Sequence, residues 1–190
     1  ILQRYGIQEG PLNRNGYIVR SFSMNNFERE LERIREVNND AFSSNWHFLP
    51  LSKEEYLFSA KYLGLVTRPE LIKIVEHKGH PVGVLHCVLD INPLLKRIEG
   101  RVGPIKYLRF LWARRKIRNL IIYTVAIKKA YQHTRVYELL LRAFCRLALN
   151  FETSETTWLS QENAPAVKAA QSIGMKPDKQ FAIYEKQLSE

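Results

Sequence analysis

Cysteine is almost absent from this 190-residue chain: Cys87 and Cys145 are the only two. Both sit inside apolar runs, without a CxxC spacing, and this excludes a disulfide framework. They read as small buried side chains in a reduced compartment. The histidines, His47, His77, His80, His86 and His133, show no metal-ligand spacing, and no HExxH occurs. No uninterrupted apolar stretch reaches the ~18–20 residues of a membrane span. The best candidate, 120–127, stops at Lys128. A signal-peptide pattern is also missing, so the cytoplasm is the expected location and no membrane partner is expected. Repeats and low-complexity tracts are absent, and the length suits a single domain of ~100–200 residues.

Acidic residues are in the minority, 19 against 29 Lys and Arg, which leaves a net charge of +10. Arg109, Arg114, Arg115, Lys116 and Arg118 crowd one segment, with Lys128, Lys129 and Arg135 further on. Two readings stand side by side: a solvated helix face that packs Leu108, Leu111 and Ile117 inward, or a surface for an acidic ligand. Trp46, Trp112 and Trp158 read as core or interface residues. The expected strands lack the one-sided aromatic alternation of an RNA-binding sheet, and a nucleic-acid partner is the least favoured reading.

Apolar residues at 45% and aromatics at 11% describe an ordinary globular chain. Residues 1–16 read as an irregular lead-in and 17–190 as the domain. A strand is expected at 17–22, then a helix capped by Ser23 and running to about residue 42. Ser52 and Glu55 form a capping-box pattern that opens a helix to about Leu63. Residues 71–77 and 81–89 predict a β-hairpin across Lys78 and Gly79. A short helical crossover over 90–99 and a basic amphipathic helix over 105–116 follow. The 120–127 run predicts a strand buried on both faces. A helical stripe covers 136–150, a strand 156–160, a helix runs from Asn163 or Ala164 to Gly174, and a last strand covers 181–186. The expected fold class is α/β, with a mixed, mostly antiparallel central sheet of about six to seven strands and helices on both faces.

This order, with the segment Ala126-Ile-Lys-Lys-Ala-Tyr-Gln-His-Thr-Arg-Val-Tyr137 after the buried strand, resembles the GNAT acyl-CoA N-acyltransferase superfamily. Trp158-Leu-Ser-Gln-Glu-Asn-Ala-Pro-Ala166 and Ser172-Ile-Gly-Met175 are similar to its second hallmark, a strand ending in Asn and a helix closing on a glycine turn. Asn45 to Pro50, Arg114 to Lys116 and Ile183 to Leu188 resemble one bacterial branch of GNAT-like proteins. The resemblance implies acetyl-CoA or another acyl-CoA as cofactor, held by Ile127, Lys129, Gln132, His133, Thr134, Arg135, Val136, Tyr137 and Asn163. It implies a small-molecule or peptide amine as acceptor.

Gln132 matches the first position of the family's Arg/Gln-x-x-Gly-x-Gly/Ala loop, but Arg135 and Tyr137 stand at the glycine positions. Glycines there let the backbone approach the pyrophosphate at a helix N-terminus. The tyrosine that many members use as an acid is matched by Ala170, and 120–127 holds no Asp or Glu to serve as base. Tyr123, Asp90 and Glu76 are the remaining catalytic candidates. Thr134 and Asn163 can also be read as plain helix caps. Three functions remain open at this point: an N-acetyltransferase-like domain of weak or lost activity, an inactive GNAT-fold binding module, and a basic nucleic-acid-binding domain.

Overall fold

The computed structural model describes residues 16–45, 48–64, 66–98, 103–182, 184 and 186. The lead-in up to residue 15, Trp46 and His47 lie outside the described residues. The chain divides into two compact units, Ile1–Thr157 and Trp158–Glu190.

The first unit is built on a five-stranded sheet in the order β1 (Tyr17–Ser21), β2 (Ile72–His77), β3 (His80–Leu89), β4 (Asn119–Ile127) and β5 (Thr153–Thr156). The first four strands pair antiparallel, and β5 lies parallel to β4. The β2–β3 hairpin turns where expected, at Lys78 and Gly79, with φ values of 51° and 79°. A two-residue turn of this hand needs positive φ at both positions. Among the described residues five strands form the sheet, against the six to seven expected. Phe181, Ala182, Tyr184 and Lys186 take no strand, and Ile183 and Glu185 lie outside the described residues.

The strand expected at 156–160 falls earlier, at Thr153–Thr156. The Thr-Trp-Leu stretch has β propensity, but pairing along β4 decides the strand, and its last rung is the Thr157 N–H donated to the Ile122 carbonyl at 3.1 Å. Nor is β4 buried on both faces as expected. Leu120 and Ala126 are buried, whereas Tyr123 and Val125 are 45% and 40% exposed. Beyond Ile122 this strand pairs on one side only within the unit, so its apolar run overstates its burial.

Helices cover both faces of the sheet. α1 (Phe27–Phe42) sends Leu31, Ile34 and Val37 onto Ile72, Ile74, Val84 and Ala126. α2 (Lys53–Leu63), opened by the reciprocal Ser52–Glu55 capping box, adds Tyr56, Leu57 and Ala60 to that cluster. α5 (Val136–Ala148) lies over Gly83 of β3. Gly83 and Val84 are adjacent and point to opposite faces, which puts α5 and α1 on opposite sides of the sheet. The expected Ser23 cap is not made: a 3-10 turn at Met24–Asn26 precedes α1, and the Ser23 N–H donates instead to Glu30 Oε2 at 3.3 Å.

α3 (Asn92–Ile98) and α4 (Pro104–Ala113) connect β3 to β4, and a 3-10 turn at Arg114–Lys116 extends α4. Leu108, expected to pack inward, is 66% exposed, and Phe110 is the buried residue among the described side chains of the helix. Two residues along a helix are ~200° apart, so burying Phe110 turns Leu108 outward. A ribbon of charge ties β1, β2 and α1 together. The Arg20 guanidinium bonds Glu30 Oε1 at 2.8 Å and Glu76 Oε1 at 2.6 Å, and Arg33 reaches the same Glu76 oxygen at 2.6 Å.

In the second unit, α6 (Ala164–Ser172) begins at Asn163, whose Oδ1 accepts the Ala166 N–H at 3.2 Å, with Pro165 in the first turn. The helix closes on Gly174, where φ is 82°.

Candidate active site

The feature that sets β4 apart is one extra residue. Val125 pairs with Leu85 and Thr124 with His86, but Ile122 pairs with Cys87, so Tyr123 bulges out of the ladder. Upstream, the Ile122 carbonyl faces β5, where it accepts the Thr157 N–H. Downstream, the Lys128 N–H faces β3 and donates to the Val82 carbonyl at 3.0 Å. Alternation along a strand then directs the main-chain groups of Val125 and Ile127 away from β3, toward the side on which β5 has ended. The Tyr123 carbonyl accepts from Thr157 Oγ1 at 3.3 Å and closes the corner. Among the described residues no strand pairs with the Val125–Ile127 edge. Such an edge can hold an extended amide-bearing chain by β-type pairing and can aim N–H groups at a carbonyl oxygen.

The chain then leaves β4 through a braced loop. The Lys129 N–H donates to Asp40 Oδ2 at 2.7 Å and its ammonium bonds the Ser44 hydroxyl, while Lys128 lies 3.9 Å from Glu36. Tyr131 meets His77 Nδ1 at 3.2 Å, which ties the loop to the hairpin. Thr134 Oγ1 donates to the Tyr131 carbonyl at 2.7 Å and accepts the Val136 N–H at 3.4 Å. The expected Thr134 cap therefore takes a long-bonded form, with Arg135 as the N-terminal boundary residue of α5. Gln132, His133, Thr134 and Arg135 are exposed, Tyr137 is half-buried and Val136 is buried. Arg135 has a φ of −69°, and Tyr137 lies within the helix. Side chains at the two glycine positions of the family loop therefore carry no backbone strain. They only occupy space.

A polar group lies beneath the bulge. The Tyr123 ring meets His86 edge-on, with centroids 5.3 Å apart and planes at 72°. His86 is 7% exposed, its Nε2 has no hydrogen bond, and burial pushes its pKa down to about 4. Asn38 Nδ2 donates to the Tyr56 hydroxyl at 3.2 Å, and Asn38 Oδ1 is buried without a partner. Burial, with Tyr123 adding to it, raises the pKa of Tyr56 well above the usual tyrosine value.

The sequence candidates separate. Tyr123 and Ile127 lie on the open edge, and Lys129 to Tyr137 lie in the loop and helix start that follow it. Asp90 lies beyond the Leu89–Leu120 pair, where its Oδ1 accepts from the Asn92 N–H and Nδ2. Three β4 residues, ~10 Å, separate that level from Tyr123. Glu76 is two strands from β4 and is held by Arg20 and Arg33. Asn163 and Ala170 belong to the second unit. Sequence reasoning missed His86, Tyr56 and Asn38 as site residues. No spacing rule marks them, since α1, α2 and β3 supply one residue each. Among the described residues no group of three or more His, Cys, Asp or Glu side chains gathers as a metal site.

Solved GNAT acetyltransferases share this α/β fold, and the chain has that fold. Aminoglycoside N-acetyltransferase AAC(6')-Iy, solved with CoA, is similar with a TM-score of 0.57 and 13% identity, over 93% of this chain and 98% of that one. Diaminobutyrate acetyltransferase EctA from Paenibacillus lautus, solved with its substrate and CoA, is similar at a TM-score of 0.52 and 16% identity, over 83% of this chain and 74% of that one. No family model matches the chain. By sequence the chain is 25% identical over 182 residues to a bacterial ceramide synthase of Caulobacter vibrioides, and 23% identical over 185 residues to the protein YghO of Escherichia coli. Each alignment covers 92% of this chain and 47% of the relative, so the chain spans about half the length of the curated relatives it matches.

Proposed function

We propose that this domain is an acyl-CoA-dependent N-acyltransferase that acylates an amine of lipid type. The observation that carries the reading is the open Val125–Ile127 edge beside the Tyr123 bulge. An acyl thioester laid along that edge would meet main-chain N–H groups that polarise its carbonyl. A neutral amine attacks the carbonyl carbon, the new C–N bond forms, the C–S bond breaks, and the ammonium loses its proton to solvent or a base. The departing thiolate takes up a proton, and the half-exposed Tyr123 hydroxyl is the donor we assign. Gln132, His133, Thr134, Arg135, Val136 and Tyr137 would surround the pyrophosphate at the start of α5, with Lys129 as a further contact. The lipid class of the acceptor is supported by the name of the Caulobacter relative, because a ceramide is the amide of a long-chain amine.

The same loop also favours a second reading, an inactive GNAT-fold binding module. Arg135 and Tyr137 fill the space of the family's glycines, and the Asp40 carboxylate already occupies the Lys129 N–H. Free thiol released from acetyl-CoA and from a long-chain acyl-CoA, with short amines, peptides and a long-chain amino alcohol as acceptors, separates the two. We expect turnover with the long-chain amine and its loss in Val125→Pro, which removes an edge N–H outside the β3 ladder. Background rates with every acceptor, beside intact CoA binding, would establish the binding module instead.

A further inference from the structure

We propose that α4 and the basic turn after it dock this domain on an anionic phospholipid surface. Leu108 and Trp112 lie four residues apart on α4, so they share a face, and both are more than three-fifths exposed. Tyr107 flanks them and is also exposed, while Phe110 holds the opposite face in the core. A helix with Trp, Tyr and Leu turned outward and Arg and Lys beside them has the make-up of an interfacial helix. The cations are in place. Lys116 Nζ sits 3.9 Å over the Trp112 ring, and Arg109 and Arg115 are exposed on the same segment.

Lys116, over the Trp112 ring, also lines a cavity of about 560 Å³ that it shares with Arg68, Arg115, Arg118 and Asn150 and with the apolar Ile117 and Phe151. Of the lining cations, Arg68 stands 4.0 Å from the Glu70 carboxylate. Arg115, Lys116 and Arg118 have no carboxylate partner among the described residues. A phosphate headgroup suits such a cavity, and the adjoining Leu108 and Trp112 suit the acyl boundary beneath it. A nucleic acid would satisfy the cations but would gain nothing from an exposed leucine. The cavity lies at the start of β4, while the acyl-CoA edge lies at its end, so the docking inference stands independently of the acyltransfer reading.

Co-sedimentation of the full chain with phospholipid vesicles tests this. Binding to vesicles rich in phosphatidylglycerol should be strong and should weaken with salt, and phosphatidylcholine vesicles should bind little. Arg115→Gln and Arg118→Gln should each lower partitioning on the order of fivefold, the effect of one surface cation. Leu108→Ser with Trp112→Ser should lower it by a similar or larger factor, with the circular dichroism spectrum and CoA binding unchanged. Three results would overturn the inference: equal binding to both vesicle types, an unaffected Leu108/Trp112 variant, or binding of a short RNA or DNA duplex that outcompetes the vesicles. The changed residues are exposed, so the fold does not depend on them, and the single variant Arg115→Glu provides a second reading of the same charge.

Discussion

Val136 stands where a side chain at Gly83 would have to go: a Cβ added to Gly83 would lie 2.5 Å from Val136 Cγ1. The start of α5, and with it the loop after β4, is therefore set by the bareness of one β3 residue. Gly83→Ala should destabilise the domain by about 1 kcal/mol or more through overpacking. Val136→Ala in the same chain should recover part of that loss, since the two changes meet at one contact. Urea unfolding of the single and double variants measures the coupling, and simple additivity would show that the contact does not position the helix.

Stability should fall in mild acid because of His86. Its pKa is about 4 when folded against 6.5 ordinarily, with burial as the cause. As pH drops from 6.5 to 4 the unfolded chain takes up a proton that the folded chain refuses, so folding loses up to about 3 kcal/mol across that window. Glu30 adds a loss of the same sign at lower pH. Burial pushes its pKa up, but the Arg20 bonds outweigh burial and hold it below the ordinary value. His86→Phe should flatten the upper part of a plot of unfolding free energy against pH, and an unchanged slope would remove His86 from the account.

Arg20 should matter more than Glu76. Removing Arg20 leaves the buried Glu30 carboxylate without its main partner, at a cost of about 2 kcal/mol or more. Glu76→Ala leaves Arg20 with Glu30, and about 1 kcal/mol is expected. Thermal unfolding of both variants gives the order, and the reverse order would place the weight of the network on β2.

Opening the loop should help CoA. Arg135→Gly with Tyr137→Gly clears the space beside the start of α5 at the expense of ~1 kcal/mol of helix stability at Tyr137, which lies inside the helix, while Arg135 is its boundary residue. Calorimetric titration should show tighter binding of CoA despite the lost positive charge. A folded variant without any gain would mean that crowding is not what limits the site.

Much of this architecture is legible from pattern alone. The Lys78–Gly79 hairpin, the Ser52–Glu55 capping box and the Asn163 cap each follow from local chemistry within a few residues. The failures have a common cause, a tertiary contact that no window of sequence contains. Leu108 points outward because Phe110 took the core, β5 stops at Thr156 because β4 bulges, and His86 is drawn into the site by Tyr123 from another strand. The bulge itself leaves no mark in Leu120 to Ile127, which reads as one continuous apolar run.

That one inserted residue decides which half of the backbone faces the open edge. Because the bulge absorbs Tyr123, the amides of Val125 and Ile127 look outward, whereas an unbulged pairing of the same sequence would turn out those of Thr124 and Ala126. An edge made of main-chain groups does not depend on which side chains it carries. Substitution by residues other than proline can accumulate along 124–127 without changing what the edge offers a ligand, whereas pairing without the bulge would exchange the outward donors for neighbours now committed to β3. The strand can thus drift far in letters while holding its register, and the register is a stricter record of its purpose than its composition.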